Sequence, residues 1–339
     1  MSGSNTWMRR VLTVPGYLVA WSVLVTTVPL WLPLLLLADV LRPRPAMALR
    51  CAAFLVLYLT LELAGLLVAQ ALSLRRRVGQ IDEAGWLEGH FRLQTWWAGT
   101  LLEQLMRLFR MRLDVEGTEE VARGPFLLFI RHSSIADTLL ASLLVAKRHG
   151  VRLRYILKRE LLWDPCLDVV GNRLPNVFVD RGATDSAREI ERVAGLAEGL
   201  GSRDGVLIYP EGTRFSAAKR QRVLDRFESD GPRALHAYAS SLHWSLPPRL
   251  GGPLALLSAA PEADVVFCAH VGFEPVSTLG EVWRGGLFGA TVRVRFRRVP
   301  REQIPSGRAA QEAWLQREWA EQDQWLDLHA RTEGSPKRK

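Results

Sequence analysis

Two long apolar runs lie near the start of the chain. No charged residue occurs from Tyr17 to Ala38, and Glu62 is the only charged residue from Cys51 to Leu74. Each run exceeds the roughly 20 apolar residues that cross the hydrocarbon core of a bilayer. The pattern therefore predicts two membrane-embedded helices, and we expect Glu62 to face the partner helix or to snorkel, without a catalytic role.

The topology of this pair has two interpretations. It is either a hairpin that spans the bilayer or a monotopic hairpin, broken near Pro29 and Pro33, whose ends stay on one face. The first run is too long for a signal-peptide core and is followed by a second, which argues against cleavage. Both interpretations place the rest of the chain on the cytoplasmic side, at the inner membrane if the source is bacterial. The flanking basic residues give no asymmetry that fixes orientation: Arg9, Arg10, Arg42, Arg44, Arg50, Arg75, Arg76 and Arg77.

The segment from Trp86 to Arg110 has apolar residues at helical spacing, with Trp96 among them and Arg92 between them. One interpretation is a basic amphipathic helix that lies at the membrane interface. The other is an ordinary core helix with one solvated face. Both remain open on the sequence alone.

Beyond this segment, β-like runs alternate with helical stretches, which is typical of an α/β domain. The predicted strands are Arg112–Val115, Phe126–Arg131, Arg152–Leu157, Asn176–Val179, Val206–Tyr209, Val265–Val271 and Thr291–Phe296. The predicted helices are Thr138–His149, Arg159–Val170, Asp185–Leu200 and Ala217–Glu228. We expect a central mixed sheet flanked by helices, and a Pro-, Gly- and Ser-rich loop at Ser245–Pro261.

The same patterns divide the chain into three parts. Residues 1–78 are expected to form an N-terminal membrane hairpin, 79–331 one α/β domain, and 332–339 a disordered basic tail. With 48% hydrophobic residues, a chain of 339 residues can bury a sizeable core. Disorder of most of the chain is therefore excluded.

The net charge of +9 requires a polyanionic partner, for which nucleic acid and anionic lipid are the usual candidates. The apolar N-terminus favours lipid, and we expect no nucleic-acid partner. Three cysteines, Cys51, Cys166 and Cys268, are far apart and lack the spacing of a metal site or a disulfide framework. A reducing, cytoplasm-facing location fits this cysteine usage best.

The apolar run Phe126–Ile130 ends in the sequence RHSSIADT, which contains His132 and Asp137. On an ideal helix these two residues would lie about 140° apart, so they can meet only across a strand-to-helix turn. Polar residues at the carboxyl end of a buried strand are well placed to form a site. The alternative for Asp137 is a helix-capping role, since Ser134 and Asp137 match the spacing of a capping box.

Two further apolar strands end in charged residues. The first, VFVDRG, ends at Arg181, and the second, VLIYPEGTRFS, presents Glu211, Gly212, Thr213 and Arg214. Arginine forks match phosphate oxygens in a bidentate way, so arginines near a histidine suit a phosphate-bearing alcohol. The alternative is that Arg181 and Arg214 form surface salt bridges.

Together these residues resemble the first three motifs of the glycerophospholipid acyltransferase family, which includes 1-acylglycerol-3-phosphate and lysocardiolipin acyltransferases. The similar segments are His132–Asp137, Arg181 in VFVDR, and Tyr209–Arg214 in YPEGTR, the most specific of the three. The resemblance extends from about Gly89 to about Arg331, because SLPPRLGG is similar to a fourth motif. The C-terminal sequences FRRVPREQIP and AWLQREWAEQDQWL resemble the lysocardiolipin-like branch. Residues 79–331 are then the acyltransferase domain.

This chain departs from the family pattern at three places. Arg131 stands where the family usually has Asn before the motif histidine, and Phe215 separates Arg214 from the serine that often follows. Pro253 replaces an expected aromatic residue. These departures bear on acceptor preference and on the acyl-chain pocket more than on the type of reaction.

The resemblance implies that a fatty-acyl group passes from acyl-CoA or acyl carrier protein to the free hydroxyl of a lysophospholipid. The first candidate is 1-acyl-sn-glycerol-3-phosphate, which would give phosphatidic acid. His132 would act as general base and Asp137 would orient it. Arg181, Glu211, Gly212, Thr213 and Arg214 would bind the acceptor, and no cofactor or metal would be required.

Other functions remain open. One is acylation of another lysophospholipid, as in lysocardiolipin remodelling, and another is lipid binding without catalysis. A lipid hydrolase with Ser133 or Ser134 as nucleophile is disfavoured, because the chain contains no G-x-S-x-G sequence.

Overall fold

The computed structural model describes residues 3–41, 46–180, 186–274 and 279–332. Its α-helices are α1 (Gly3–Thr26), α2 (Val28–Val40), α3 (Met47–Arg77), α4 (Glu83–Leu108), α5 (Ser186–Gly195), α6 (Ala217–Asp230), α7 (Arg233–Ser241), α8 (Gly251–Ala259), α9 (Leu279–Trp283) and α10 (Arg308–Thr332). Its strands are β1 (Arg112–Glu116), β2 (Phe126–Ile130), β3 (Arg152–Lys158), β4 (Val177–Val179), β5 (Asp204–Ile208), β6 (Asp264–Val271) and β7 (Thr291–Val299).

The strands form one mixed sheet in the order β1-β7-β6-β2-β5-β3-β4. β6 and β7 are antiparallel, and the other neighbouring pairs are parallel. β2 and β5 are buried along their whole length, because they lie inside the sheet and are covered on both faces. The predicted α/β fold with a central mixed sheet is confirmed, and the ends of each predicted strand differ from the observed ends by at most three residues.

Side chains of β2 alternate between two hydrophobic cores, since successive residues of a strand point to opposite faces. Phe126, Leu128 and Ile130 lie in a first core with residues of α4 and of the turns that follow β2. Leu127 and Phe129 lie in a second core with residues of α5, α8 and α10. Because both faces are covered, polar side chains of this strand region can gather only where the strands end.

The expected loop at Ser245–Pro261 is wrong, because this segment contains helix α8. Its Gly-Gly-Pro start has the composition of a loop, so the sequence pattern did not predict this helix. Pro253 is its third residue, and the first-turn N–H groups of a helix have no intrahelical partner, so proline is tolerated there. Leu254, Leu256 and Leu257 then pack into the second core, which stabilises the helix.

Two of the four predicted helices are regular, namely α5 and α6. The predicted helix Thr138–His149 is instead a 3₁₀ turn at Ala136–Leu139 followed by a helical segment with a π turn at Ser142–Lys147. The predicted helix Arg159–Val170 is likewise split into a 3₁₀ turn and a π turn, Arg159–Trp163 and Leu167–Gly171. Irregular turns of this kind are frequent at functional sites and connectors.

The N-terminal hairpin is present, but its first arm consists of two helices. α1 and α2 meet at a 69° bend, where Pro29 lacks the N–H that would continue the hydrogen-bond ladder to Val25. α3 is long and apolar enough to cross a membrane, and α1 with α2 makes a second candidate if the bent pair counts as one span. A core helix of a soluble protein meets the same criteria, so these helices give weak support for a span.

Helix α4 has the buried face that the core-helix interpretation of the segment after the hairpin predicts. It begins at Glu83, where the side chain of Asp82 accepts the N–H of Gly85 and caps the helix. Phe91 and Trp97 are buried against α3 and the turns of the α/β domain. The apolar face of α4 is therefore a core face, as the core-helix interpretation predicts.

Charged side chains attach α1 to the α/β domain. Arg9 Nη2 donates to Oδ1 of Asp168 at 2.6 Å, and Arg10 Nε donates to Oδ2 at 3.0 Å. Asp168 is fully buried and also accepts from the side-chain amide of Asn172 at 2.9 Å. Loss of either side of such a buried ion pair is strongly destabilising, because it leaves an uncompensated buried charge. The pair therefore holds α1 on the domain only while all of its members are present.

A second contact attaches α3 to the same domain. Glu62 is buried, and its Oε2 accepts the backbone N–H of Cys166 at 3.0 Å, while Tyr58 donates its hydroxyl to Asp164 at 2.7 Å. Gly65 lies so close to the domain that a Cβ there would stand 2.6 Å from Sγ of Cys166. Glu62 therefore faces the α/β domain, whereas the sequence suggested a partner helix or snorkelling.

We expect Asp168→Ala to lower the free energy of unfolding by about 3 to 5 kcal/mol, because the substitution leaves a buried arginine without its counter-ion. The matched control is Glu312→Ala in the exposed pair that Glu312 forms with Arg308, which should cost less than about 1 kcal/mol. Denaturant unfolding of both variants in detergent measures the difference. Equal losses would contradict the importance of the Asp168 contact.

Candidate active site

His132 and Asp137 lie side by side in the turn that follows β2. Nδ1 of His132 is 3.0 Å from Oδ1 of Asp137, and the two residues are separated by the bend that leads into the 3₁₀ turn Ala136–Leu139. Asp137 is fully buried and His132 is 6% exposed. The structure thus brings together the pair that the sequence singled out.

The other carboxylate oxygen of Asp137 closes the turn. Its Oδ2 accepts the backbone N–H groups of Ser133 at 2.6 Å and Ser134 at 2.7 Å. In return, Oγ of Ser134 accepts the N–H of Ala136 at 3.2 Å. Asp137 therefore caps the turn and also binds the histidine, so both of the roles that the sequence left open are present in the geometry.

These contacts control the charge of Asp137. Burial alone would raise the pKa of its carboxyl, but the hydrogen bond to His132, the flanking imidazoles and the N–H of Ser134 hold that pKa below its usual range. An ionised carboxylate can only accept hydrogen bonds, so Nδ1 of His132 carries the proton. Nε2 of His132 then carries the lone pair that can take up a proton.

The segment after β5 lies against this pair, because β5 is the parallel neighbour of β2. Glu211 is buried, and its Oε1 is 3.4 Å from the backbone N of His132. Burial raises the pKa of Glu211 well above its usual range, with Arg131 opposing that shift. The ring of Tyr209 packs on that of His132 with 4.4 Å between the ring centroids.

Gly212 adopts a conformation that favours glycine. Its φ is +68°, and a Cβ there would stand 2.8 Å from the side chain of Arg249. The backbone N of Arg249 also donates to the carbonyl of Pro210 at 2.8 Å. The SLPPRLGG segment therefore lies beside the PEGT segment and adds an exposed cation that sequence reasoning did not assign to the site.

The remaining candidates for the acceptor site are Thr213, Arg214 and Arg181. Thr213 Oγ1 and the carbonyl of Arg214 both accept from Nζ of Lys219, at 2.8 and 2.9 Å, which holds this segment against the start of α6. Arg181 lies outside the described residues. It follows β4, which is the edge strand and is separated from β5 by β3.

Two buried residues near the pair were missed by sequence reasoning as parts of the site. Arg131 is fully buried, and His270 at the end of β6 lies 3.6 Å from Oδ2 of Asp137. The order of the strands, which places β6 beside β2, is not readable from the sequence. The one available signal was a histidine near the end of an apolar run, VVFCAHV, which is more often a satisfied core residue.

A groove of about 420 Å³ lies where α1 meets the domain. Its apolar lining includes Met8, Leu12 and Trp163, and its charged lining includes Arg159 and Asp180. Asp180 directly precedes Arg181 in the chain. Within the described parts of the chain, no group of three or more His, Cys, Asp and Glu side chains is arranged to hold a metal ion.

A comparison with sequence models of protein families identifies the domain that holds this pair of residues. The sequence model of the family described as Acyltransferase matches residues 112–237, from β1 to α7, and the match includes His132, Asp137, Glu211 and Arg214. Residues 112–237 therefore carry an acyltransferase domain, which agrees with the resemblance to glycerophospholipid acyltransferases found in the sequence.

One solved structure that matches this chain is the crystal structure of the 1-acyl-sn-glycerophosphate (LPA) acyltransferase PlsC from Thermotoga maritima. The match covers 79% of this chain and 98% of that chain, with 15% sequence identity and a TM-score of 0.47. A search of curated proteins found no match.

We expect Asp137→Asn to reduce turnover by up to about 10⁴-fold while folding is largely kept. The amide oxygen can still accept from Ser133 and Ser134, but the amide N–H₂ then faces Nδ1 of His132 and forces the wrong tautomer. Stability should fall by about 1 kcal/mol, as for a weakened cap. Turnover in a thiol-release assay and thermal unfolding measure the two effects, and near-normal turnover would leave Asp137 a capping role alone.

Proposed function

We propose that this protein transfers a fatty-acyl group from a thioester donor to the free hydroxyl of a lysophospholipid. The preferred acceptor is 1-acyl-sn-glycerol-3-phosphate, which gives phosphatidic acid. The observation that carries the proposal is the hydrogen-bonded pair of His132 and the buried Asp137 within the acyltransferase domain. Acyl-CoA or acyl carrier protein serves as the donor, and no redox cofactor or metal takes part.

In the proposed reaction Nε2 of His132 takes the proton of the acceptor hydroxyl while that oxygen attacks the thioester carbonyl. The new C–O bond forms a tetrahedral intermediate. Its collapse breaks the C–S bond, and the leaving thiolate takes the proton back from the imidazolium. Asp137 stabilises that imidazolium and keeps the proton on Nδ1, so the substrate alcohol stands where a serine nucleophile would stand in a hydrolase.

The segment after β5 is the proposed acceptor site. Glu211, Gly212, Thr213 and Arg214 follow the strand that neighbours β2, so an acceptor bound there has its hydroxyl near His132. Arg214 and Arg181 are proposed to bind the phosphate, since two arginine forks can satisfy its oxygens. These two arginines and the sequence resemblance to glycerophospholipid acyltransferases support a phosphate-bearing acceptor.

The N-terminal helices are proposed to hold the domain at the cytoplasmic face of a membrane. Several large apolar side chains on these helices are exposed in the isolated chain, which suits burial in lipid: Trp7, Leu12, Leu18, Leu30, Leu34, Leu37, Val40, Leu41 and Leu67. Because α1 and α3 are also joined to the domain through Asp168 and Cys166, the anchor and the domain form one structural unit. A membrane-resident acceptor would then reach the site from the bilayer and the donor from water.

Three alternatives differ from this proposal in the acceptor that is used or in the products that are released. Acylation of another lysophospholipid, as in lysocardiolipin remodelling, uses the same chemistry on a different acceptor. Lipid binding without catalysis releases no thiol. A hydrolase would need Ser133 or Ser134 as nucleophile, and both are at most 4% exposed, with Oγ of Ser134 bonded within the turn.

The decisive experiment offers the purified full-length chain in detergent a panel of lysophospholipids with acyl-CoA or acylated carrier protein. Free thiol release is followed with and without acceptor, and the products are identified by mass spectrometry. Acceptor-dependent release with formation of phosphatidic acid supports the proposal. Release without acceptor indicates a hydrolase, and no release with any pair of substrates contradicts catalysis.

We expect His132→Ala to lower turnover by about 10² to 10⁴-fold, because the substitution removes the group proposed as general base. Vesicle binding and thermal stability should stay close to those of the unaltered protein. The matched control is His236→Ala on α7, a helix that contributes none of the residues proposed for catalysis or acceptor binding, and this variant should keep full turnover. Retention of more than roughly a tenth of turnover in His132→Ala would contradict the assignment.

We expect Arg214→Lys to raise the apparent KM for the phosphate-bearing acceptor by about tenfold, since lysine keeps the charge but loses the bidentate fork. The KM for the acyl donor should not change. The control is Arg222→Lys at an exposed position of α6. Initial-rate kinetics with each substrate varied in turn give both constants, and an equal rise in both would exclude a role confined to the acceptor.

A further inference from the structure

Arg131 and His270 exchange hydrogen bonds across the ends of β2 and β6. Nη1 of Arg131 donates to the carbonyl of His270 at 2.7 Å, and Nε2 of His270 lies 2.8 Å from the carbonyl oxygen of Arg131. The backbone N of Arg131 also donates to the carbonyl of Cys268 at 3.1 Å. This reciprocal pair fixes the backbone immediately before His132.

The side chain of Arg131 is turned into the protein rather than towards a substrate. It is fully buried, and besides His270 it donates to the carbonyl of Trp244 at 2.9 Å and to Oε1 of Glu274 at 2.6 Å. Glu274 Oε2 in turn accepts the N–H of Gly272 at 2.6 Å. One carboxylate and two carbonyls thus accept hydrogen bonds from Nε and Nη1, while Nη2 is buried without a hydrogen-bond partner among the described residues, and Arg131 acts as an internal support.

His270 also contacts the carboxylate of the proposed catalytic pair. Its Nε2 lies 3.6 Å from Oδ2 of Asp137, whereas His132 binds the other oxygen, Oδ1. A carbonyl oxygen can only accept, so the hydrogen bond to Arg131 places the proton of His270 on Nε2. Nδ1 of His270 is buried and has no hydrogen-bond partner among the described residues.

The surroundings keep His270 neutral. The ionisable groups that face it are Asp137, Arg131 and Glu274, and burial lowers its pKa while Asp137 opposes that shift. A proton on Nδ1 would create a buried N–H without an acceptor, next to the guanidinium of Arg131. A neutral donor at this place has an advantage, because a cation would attract Asp137 away from His132.

We propose that His270 is a positioning residue for acyl transfer: its Nε2–H holds the carbonyl of Arg131 and faces Oδ2 of Asp137, which fixes the position of His132. This inference rests on the proposed function and deepens it. His270 touches neither substrate nor reacting atom in this scheme. It acts through the strand end and the carboxylate, both of which set where the imidazole of His132 stands.

Two near-isosteric substitutions test the role of the Nε2 donor. The side-chain amide of His270→Gln reaches the place of Nε2 and restores an N–H there, whereas that of His270→Asn reaches only the place of Nδ1. Both variants are polar and remove the ring, so their effects on packing are matched. We expect His270→Gln to keep turnover within about threefold and His270→Asn to lose at least about tenfold in kcat, with KM values for both substrates unchanged.

The pH profile separates positioning from general damage. Asp137 stabilises the imidazolium that forms in the proposed reaction, so a displaced carboxylate changes the acid limb of the profile of kcat against pH. The acid limb should move to lower pH by about one unit in His270→Asn and stay in place in His270→Gln. A general loss of folded enzyme would reduce the amplitude of the profile without moving the limb.

A measurement on the unaltered protein completes the test. Nitrogen NMR of histidine-labelled full-length protein in detergent should show His270 as the neutral Nε2–H tautomer from about pH 6 to 8. A protonated ring, or the Nδ1–H tautomer, would overturn the proposal even if no variant folds. Equal kcat and equal acid limbs in the two variants would also overturn it, whereas unaltered protein that transfers no acyl group refutes the proposed function instead.

Discussion

The carboxylate of Asp137 is the interaction on which the site depends. It is fully buried, and it accepts two backbone N–H groups from the turn through one oxygen while it binds His132 through the other. The same contacts that close the strand-to-helix turn therefore aim the imidazole, so local folding and the candidate chemistry cannot be separated at this residue. The neighbouring strand β6 supports the turn from behind, because His270 and Arg131 are bonded to each other across the sheet.

Much of the fold could be predicted because the strands are short apolar runs that end in charged residues. β2 and β5 were recognisable as runs, and their polar ends identified His132, Asp137 and Glu211 as candidates. Helix α8 was missed because Gly251, Gly252 and Pro253 give its start the composition of a loop, although its leucines bury it. His270 was missed for a different reason. Its significance comes from the order of strands in the sheet, which local sequence does not contain.

The N-terminal helices also have contacts that local sequence does not predict. Apolar composition correctly marked them as a hairpin, but the bend between α1 and α2 and the contacts with the domain depend on single residues within apolar surroundings. Glu62 is the clearest case, since an acidic residue in an apolar run suggested a partner within the hairpin. Its partner is instead the backbone N–H of Cys166 in the domain. Arg9 and Arg10, which looked like flanking charges of a membrane segment, neutralise the buried Asp168.

The slight exposure of His132, 6% of its surface, has a consequence for the fate of an acyl thioester. A transferase must favour a scarce lipid alcohol over abundant water as the nucleophile. The ring of Tyr209 packs on the imidazole of this proposed base, so few water molecules can contact the residue in the free enzyme. Excluding water in this way suppresses hydrolysis of the thioester, although the site does not distinguish water from the lipid alcohol by their chemistry. In the proposed reaction the bound acceptor excludes the remaining water from His132, so the hydroxyl of the acceptor is the one deprotonated. The shape of the site then decides between acyl transfer and hydrolysis.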